Sequence, residues 1–439
     1  MIKQKVHVTE KFTFSPTSIA DISTIISNLD TNKPTTFNNI PVKVVVDTID
    51  ICAPLISNIY NDAIETRKFP GSLKLADITP VHKKDETTSK ENYRPVSILP
   101  SISKIFERNM FDQISTYMDK HISKYLCGFR KGYSTQHCLI IMLEKWKKAL
   151  DNRKLASALL TDLSKAFDCL NHELLIAKLE AYGFDQVSLE FIYSYLSDRK
   201  HRTKISNYFS TWADIISEIP QGSILGPLLF NIYLNDIFLF VDENNLTNYA
   251  DDNTPYAIDF NIDQLMNRIT HDTSILIRWF KDNYFKMNAD KCQLLITNHV
   301  EDVSAVIDGE NINCKKSVKL FGITIDNKSD FNQHVSKLCK KVRQKLHALA
   351  RISNYFYINK LRIIIKSFIE GQFAYFPLIW MFHSRTLNNR INRLHERALR
   401  LVYKDSQSSF EELLEQNNSF TIHHRNLQSI SNYYEKYFL

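Results

Sequence analysis

The 439-residue chain lacks the features that would assign it to several large classes of protein. Its seven cysteines include no CxxC pair. Neither a disulfide framework nor a zinc knuckle is therefore written into it, and with no signal peptide the expectation is reduced thiols and an intracellular protein, nuclear or cytoplasmic being left open. No clean apolar run reaches the roughly 20 residues that a membrane-crossing helix needs. Residues 223–240 are interrupted by Gly226, Pro227, Asn231, Asn235 and Asp236, and residues 363–382 by Lys366, Glu370 and Pro377. Both stretches read as core helices, and no membrane partner is expected. Internal repeats and low-complexity linkers are missing as well, which argues for one continuous fold with lobes.

What is present is enough to build a large core. A hydrophobic content of 44% suffices, and the length exceeds the ~250–300 residues at which single cores stop growing, so two or more subdomains are expected. Residues 1–60 show helix-like periodicity broken at Pro34, Pro41 and Pro54. The formal net charge of +7 is unevenly spread. Residues 328–404 hold 16 Lys or Arg against Asp330, Glu370 and Glu396, a net of +13, which leaves about −6 for the remainder. Within this basic segment Leu387, Ile391, Leu394, Ala398, Leu401 and Val402 recur at helical spacing, and Arg390, Arg393, Arg397 and Arg400 form a second stripe on the same helix. Lys337, Lys340, Lys341, Arg343 and Lys345 precede them. Such a surface is either a solvated basic face or a face for a polyanion.

The acidic signal is more specific. Tyr249-Ala250-Asp251-Asp252 places two adjacent carboxylates on an expected tight hairpin, and Asp162 closes the apolar run Leu155–Thr161, which reads as a buried strand. Three carboxylates at neighbouring strand ends would hold divalent cations through oxygen alone. That donor set suits Mg²⁺ or Mn²⁺, two ions of which can clamp the attacking and leaving oxygens of a phosphoryl displacement. Between the two segments, Ile219-Pro220-Gln221-Gly222-Ser223-Ile224-Leu225-Gly226-Pro227 reads as a sharp loop entering a helix that Pro227 can start. Gly222 would let the backbone approach a flat ligand; a turn feeding a core helix accounts for the glycines and proline but not for Gln221 and Ser223.

These segments, TDLSKAFD (161–168), PQGSILGP (220–227) and YADD (249–252), resemble in order and spacing the three catalytic motifs of a reverse transcriptase. NYRPVSIL (92–99) and GFRKGYST (128–135) resemble its fingers motifs, NADKCQLL (288–295) the fourth palm motif and VKLFGITID (318–326) the fifth. The wording of KAFDCLNHELL and LFNIYLNDI is most similar to non-LTR retrotransposons of the jockey type, over roughly residues 10 to 425.

The resemblance implies an α+β right-hand polymerase with fingers, an antiparallel-sheet palm packed on helices, and a helical thumb. The expected parts are an N-terminal helical extension (1–75), fingers (76–154), palm (155–326), and a basic helical thumb with C-terminal tail (327–439). The implied activity is RNA-directed DNA polymerase, with an RNA template, a DNA primer and dNTPs as partners. Two Mg²⁺ or Mn²⁺ would be held by Asp162, Asp251, Asp252 and the Leu163 carbonyl. Lys83 and Arg94, on either side of the turn Asp85–Glu91 that follows Lys84, would contact the nucleotide; without the family this is an exposed charged turn. Phe167 would be a steric gate under the sugar, or else a core phenylalanine. Gln221 and Gly222 would contact nucleotide and template. Lys291 would protonate the leaving pyrophosphate, or is a surface lysine. Leu320, Phe321 and Gly322 would form a primer grip, and Lys337, Lys340, Lys341, Arg343, Arg390, Arg393, Arg397 and Arg400 would meet phosphates. Asp168 and Asn171 read as structural, Asn171 as a helix N-cap. No endonuclease or RNase H is recognisable, so another chain or a missing upstream domain is expected to supply the nick. The alternative to an enzyme is an inactive retroelement remnant that only binds nucleic acid; RNA-templated RNA synthesis is disfavoured by Phe167.

Overall fold

In a computed structural model, residues 6, 8–36, 39–83, 85–242, 245–299, 303–381 and 384–438 are described, the last eight by their backbone alone. Lys84 lies outside them. In chain order, the principal elements are β1 (Leu75–His82), β2 (Tyr93–Ile98), α1 (Ser101–Met118), α2 (Thr135–Asp151), β3 (Leu155–Leu160), α3 (His172–Ala181), β4 (Arg199–Ile205), α4 (Gly226–Asn235), β5 (Leu246–Tyr249), β6 (Asp252–Asp259), α5 (Ile262–Asp282), β7 (Gln293–Ile296), β8 (Ser317–Leu320), β9 (Ile323–Asp326), α6 (Asn332–Ile352), α7 (Ile358–Ile365) and α8 (Arg385–Tyr403). Helices combined with mainly antiparallel strands make this an α+β chain.

The chain forms two compact units, each assembled from three segments. The first comprises Met1–Tyr133, Thr161–Asn253 and Asp272–Lys291, the second Ser134–Leu160, Thr254–His271 and Cys292–Leu439. The first unit packs around Phe106, Met110, Phe191, Leu229, Phe230 and Trp279. Its sheet pairs β1 with β2 antiparallel, Val81 opposite Arg94, and β1 with β4 parallel, Ala76 opposite His201. Local chemistry starts its helices. Asn171 Oδ1 accepts from Leu174 N–H at 2.8 Å to cap α3, as its sequence position suggested, and Pro227 sits in the first turn of α4, where a missing N–H costs nothing. Pro54 behaves otherwise than expected: it lies inside the helix Ile49–Glu65, whose buried face (Ala53, Ile56, Tyr60, Ala63) holds the helix together across the lost hydrogen bond.

The second unit packs around Trp146, Ala156, Ala158, Ile325, Val342, Trp380 and Ala398. Here β3 is central to an antiparallel arrangement, Leu159 opposite Leu294 of β7 and Ala158 opposite Tyr256 of β6. Four of its six residues are buried, as the apolar run required. All seven cysteines are free thiols, and among the described residues no helix is long and apolar enough to cross a membrane.

Candidate functional site

The first unit brings the three aspartates together. Asp162 follows β3 in the chain, and Asp251 and Asp252 occupy the turn that joins β5 to β6, with Ala250 in the left-handed region (φ 56°). One residue staples the two segments: the Asn253 carbonyl accepts from both the N–H and the Oγ1 of Thr161, at 3.2 and 2.7 Å. The Asn253 side chain fixes the turn itself. Its Nδ2 donates to the Asp251 carbonyl at 3.2 Å, while its Oδ1 accepts from Asn248 Nδ2 at 2.8 Å, and Asn248 Nδ2 also reaches the Ala250 carbonyl at 3.1 Å. Both asparagines are fully buried. In such surroundings an unmade hydrogen bond is expensive, so the turn has one satisfied arrangement.

The GFRKGYST segment backs this turn. Leu126 forms a parallel bridge with Asn248, Asn231 Nδ2 donates to the Gly128 carbonyl at 2.7 Å, and a Cβ on Gly128 would sit 2.3 Å from the Ala250 nitrogen. Only glycine lets the two backbones approach so closely. Sequence reasoning passed over Asn231, Asn248 and Asn253; an asparagine with no local turn or cap to serve, set in an apolar strand or helix, was the available signal.

The electrostatics of the cluster are strained. Asp252 keeps an exposed edge, but the protein around its carboxyl, and then the charges of Asp251 and Asp162, push its pKa up to about 6. One cation answers: Lys291 Nζ lies 3.0 Å from Asp162 Oδ2, and the preceding turn docks through Asn288 N–H on the Asp162 carbonyl at 2.8 Å. Among the described residues no group of three or more His, Cys, Asp or Glu side chains is gathered tightly enough to hold a metal ion. The carboxylates are therefore neighbours rather than a closed cage, with Lys291 neutralising Asp162. Leu163 pairs with Met287 in a two-residue strand contact.

The PQGS loop is pinned to two other segments. The close approach at Gly222 (φ 127°) is to β2: a Cβ there would lie 2.5 Å from the Ser97 carbonyl. Ser97 N–H donates to the Gln221 carbonyl at 2.7 Å, and Gln221 Nε2 donates to Asp168 Oδ1 at 2.8 Å. Ser223, unexplained by a simple turn, accepts from the N–H of Gly226, the first residue of α4, at 2.7 Å. Beneath the loop the buried Glu107 accepts from Ile224 N–H (2.7 Å) and Tyr195 Oη (2.9 Å), burial raising its pKa. Glu218, at the mouth of the loop, is raised to about 7 by burial and by Asp168. Phe167 is half-buried, stacked on Phe230 at 4.3 Å and edge-on to Phe129 at 5.9 Å. Lys83 and Arg94 are exposed at the end of the β1–β2 hairpin, and neither side chain has a partner among the described residues.

The remaining residues lie in the second unit. Phe321 and Gly322 (φ 47° and 85°) form a two-residue hairpin between β8 and β9, and Tyr375 Oη donates to the Phe321 carbonyl at 2.8 Å. Helix α6 buries Val335, Cys339, Val342, Leu346 and Leu349 and exposes Lys337, Lys340, Lys341 and Arg343. On α8 the apolar stripe is buried as read, Leu401 only partly. The arginine stripe divides. Arg393 and Arg397 are exposed, Arg390 donates to Ser336 Oγ at 3.3 Å, and Arg400 is tied to Glu396 at 2.7 Å and to the Ser408 carbonyl at 2.9 Å.

Residues 81–325 match the family model described as "Reverse transcriptase (RNA-dependent DNA polymerase)", more than half of the chain. The chain belongs to that family, and its fold class is that of a right-hand polymerase. At the level of individual relatives it is similar to polymerases of non-LTR elements. It is 28% identical over 371 residues to the RNA-directed DNA polymerase from mobile element jockey of Drosophila melanogaster, which covers 80% of this chain and 40% of that protein. It is 26% identical over 405 residues to the probable RNA-directed DNA polymerase from transposon BS of the same species, covering 88% and 44%. The chain thus spans less than half the length of these relatives. A solved structure of telomerase from Candida albicans, in complex with a TWJ fragment of telomeric RNA, aligns with 86% of this chain at a TM-score of 0.42 and 13% identity.

Proposed function

We propose that this chain performs RNA-directed DNA synthesis, adding dNTPs to a primer 3′-hydroxyl on an RNA template and releasing pyrophosphate. The observation that carries this reading is the Thr161–Asn253 staple, which keeps Asp162 beside the Asp251-Asp252 turn in a cluster where burial, and then the charges of Asp251 and Asp162, raise Asp252 to about 6. An all-oxygen donor set with excess negative charge fits a hard dication, so Asp162, Asp251, Asp252 and the Leu163 carbonyl would hold two Mg²⁺ or Mn²⁺. When bound, the ions lower the pKa of the primer hydroxyl and neutralise the charge developing on the triphosphate.

The chain's own part is positioning. Gln221, held by Asp168 and by β2, and the exposed cations Lys83 and Arg94 would orient the nucleotide. Lys291, already beside Asp162, would give a proton to the leaving pyrophosphate. Phe167, braced by Phe230 and Phe129, would exclude a 2′-hydroxyl; Phe167→Ala is then expected to relax the discrimination against rNTPs. In this reading residues 1–75 are a helical extension, 76–154 the fingers, 155–326 the palm, and 327–439 the thumb and tail. Leu320-Phe321-Gly322 would grip the primer, and the exposed cations of α6 and α8 would meet phosphates.

Primer extension tests the reading: purified protein, a primed RNA template, Mg²⁺ and dNTPs, with Asp251→Ala/Asp252→Ala as control. Extension by the parent alone supports it. A folded parent that binds template yet extends nothing, in Mn²⁺ as well, would select a remnant that binds nucleic acid only.

A further inference from the structure

From the end of α6 through the connection (353–357) into the first turn of α7 the chain reads Arg351-Ile352-Ser353-Asn354-Tyr355-Phe356-Tyr357-Ile358-Asn359-Lys360. It lies beyond residue 325, where the family match ends. A link between packed helices is ordinarily polar, because its side chains face water. This one carries three consecutive aromatic residues, and Asn354 to Lys360 are all exposed. Tyr355 and Tyr357 are each 85% exposed and Phe356 36%. Phe356 is extended (φ −114°, ψ 140°) and separates Tyr355, which ends a short 3₁₀ turn, from Tyr357, which immediately precedes α7.

The segment is nonetheless anchored at both ends. Ser353 is buried, with its Oγ donating to the Ala350 carbonyl at 3.0 Å, and Leu361 is buried in the unit's core. Neither tyrosine side chain has a hydrogen-bond or ring partner among the described residues. Two large rings are thus displayed on a fixed backbone with nothing of this unit to cover them.

The charge around them selects the occupant. Residues 331–369 contain nine Lys or Arg and no Asp or Glu. Arg351 and Lys360 border the rings, are exposed, and are unpaired among the described residues; exposed Arg362 reaches only the Asn417 carbonyl at 3.2 Å. An apolar protein partner would bury both tyrosine hydroxyls and these cations at a cost. A single strand of nucleic acid satisfies all three groups at once: bases stack on the rings, phosphates meet the cations, and sugar or phosphate oxygens accept from the hydroxyls. A duplex, whose bases already stack on one another, offers the rings nothing.

We infer that Tyr355 and Tyr357, with Arg351 and Lys360, form a stacking platform for unpaired bases of a single-stranded RNA or DNA. This rests on the reading of the surrounding basic surface as a nucleic-acid face, and adds to it a preference for single strands.

The test is fluorescence anisotropy of the full chain with an oligouridylate of about 12 nucleotides, and with the same strand annealed to its complement, across a salt series. Tyr355→Leu/Tyr357→Leu is expected to weaken single-strand binding about ten-fold or more, leave duplex binding unchanged, and leave the slope of log Kd against log salt unchanged. Tyr355→Phe/Tyr357→Phe, which keeps the rings, restores most of the affinity. Circular dichroism verifies that each variant is folded. Equal loss on both probes, no loss on either, or a self-association seen by sedimentation that the leucine variant abolishes would overturn the platform. A flat salt profile for the parent would instead remove the basic-face reading, whatever the tyrosines do.

Discussion

The acidic cluster of the first unit and the basic surface of the second obey different physics. Around Asp162, Asp251 and Asp252, position is set by buried amides: Asn248 and Asn253 are fully sealed from solvent, and Gly128 approaches Ala250 so closely that a methyl group does not fit. On α6 and α8, Lys337, Lys340, Lys341, Arg343, Arg393 and Arg397 stand in water, and the helices beneath them are held by apolar contacts that these cations do not make. One region depends on each group, the other on their number. Removal of a single group should therefore be severe in the first and gradual in the second.

The largest effect is expected at the carboxylates. Asp251→Asn or Asp162→Asn removes a carboxylate that would hold the cations neutralising the transferring phosphoryl group, and single-turnover extension should fall by about 10³-fold with little change in thermal stability. Equal extension by the variants would make the cluster structural. Next comes the buried network: Asn253→Ala leaves Asn248 and the Asp251 carbonyl short of partners, costing about 1–3 kcal/mol in urea unfolding and slowing extension while primer binding persists.

Smaller still is a pH effect at Glu218, raised to about 7 in the folded chain from an ordinary 4.5. A carboxyl whose folded pKa is raised binds its proton more tightly folded than unfolded. The stability this gives is full below pH 4.5 and lost as pH rises through 7. Glu218→Gln should thus unfold at a higher temperature than the parent above pH 7, and the gap should close toward pH 4.5; a gap that does not vary with pH would refute the shift. The smallest effects belong to the basic surface. Lys340→Gln should lower the salt slope of RNA binding by roughly one phosphate contact, about 0.7–0.9, whereas Arg400→Gln, whose guanidinium is already spent on Glu396 and Ser408, should lower stability and leave that slope alone.

What the sequence made legible was local. The run 155–160 as a buried strand, Asn171 as a cap and Pro227 as a helix start each follow from chemistry within a few residues, and the structure has them in those places. Contacts between distant segments were not legible. Nothing near Gly222 in sequence announces the Ser97 carbonyl, and nothing on α8 announces the Ser408 carbonyl at Arg400, although the Glu396–Arg400 pair stands at i, i+4 helical spacing and was readable. The asparagines that fix the aspartate turn were hidden for the same reason, since their partners lie on other segments or in the turn they stabilise. Helical periodicity sorted the buried from the exposed face of α8 correctly, but could not tell a free cation from a committed one.

We propose that the three aspartates act together as a divalent-cation site. Mn²⁺ binding to the full chain, followed by electron paramagnetic resonance at pH 7.5 in the parent and in Asp251→Ala/Asp252→Ala, tests it most directly. Specific Mn²⁺ uptake is expected in the parent and its loss in the double variant, with uptake in the parent weakening as pH falls below about 6, where Asp252 takes up a proton. Equal uptake by both proteins, or none by a folded parent, would contradict it.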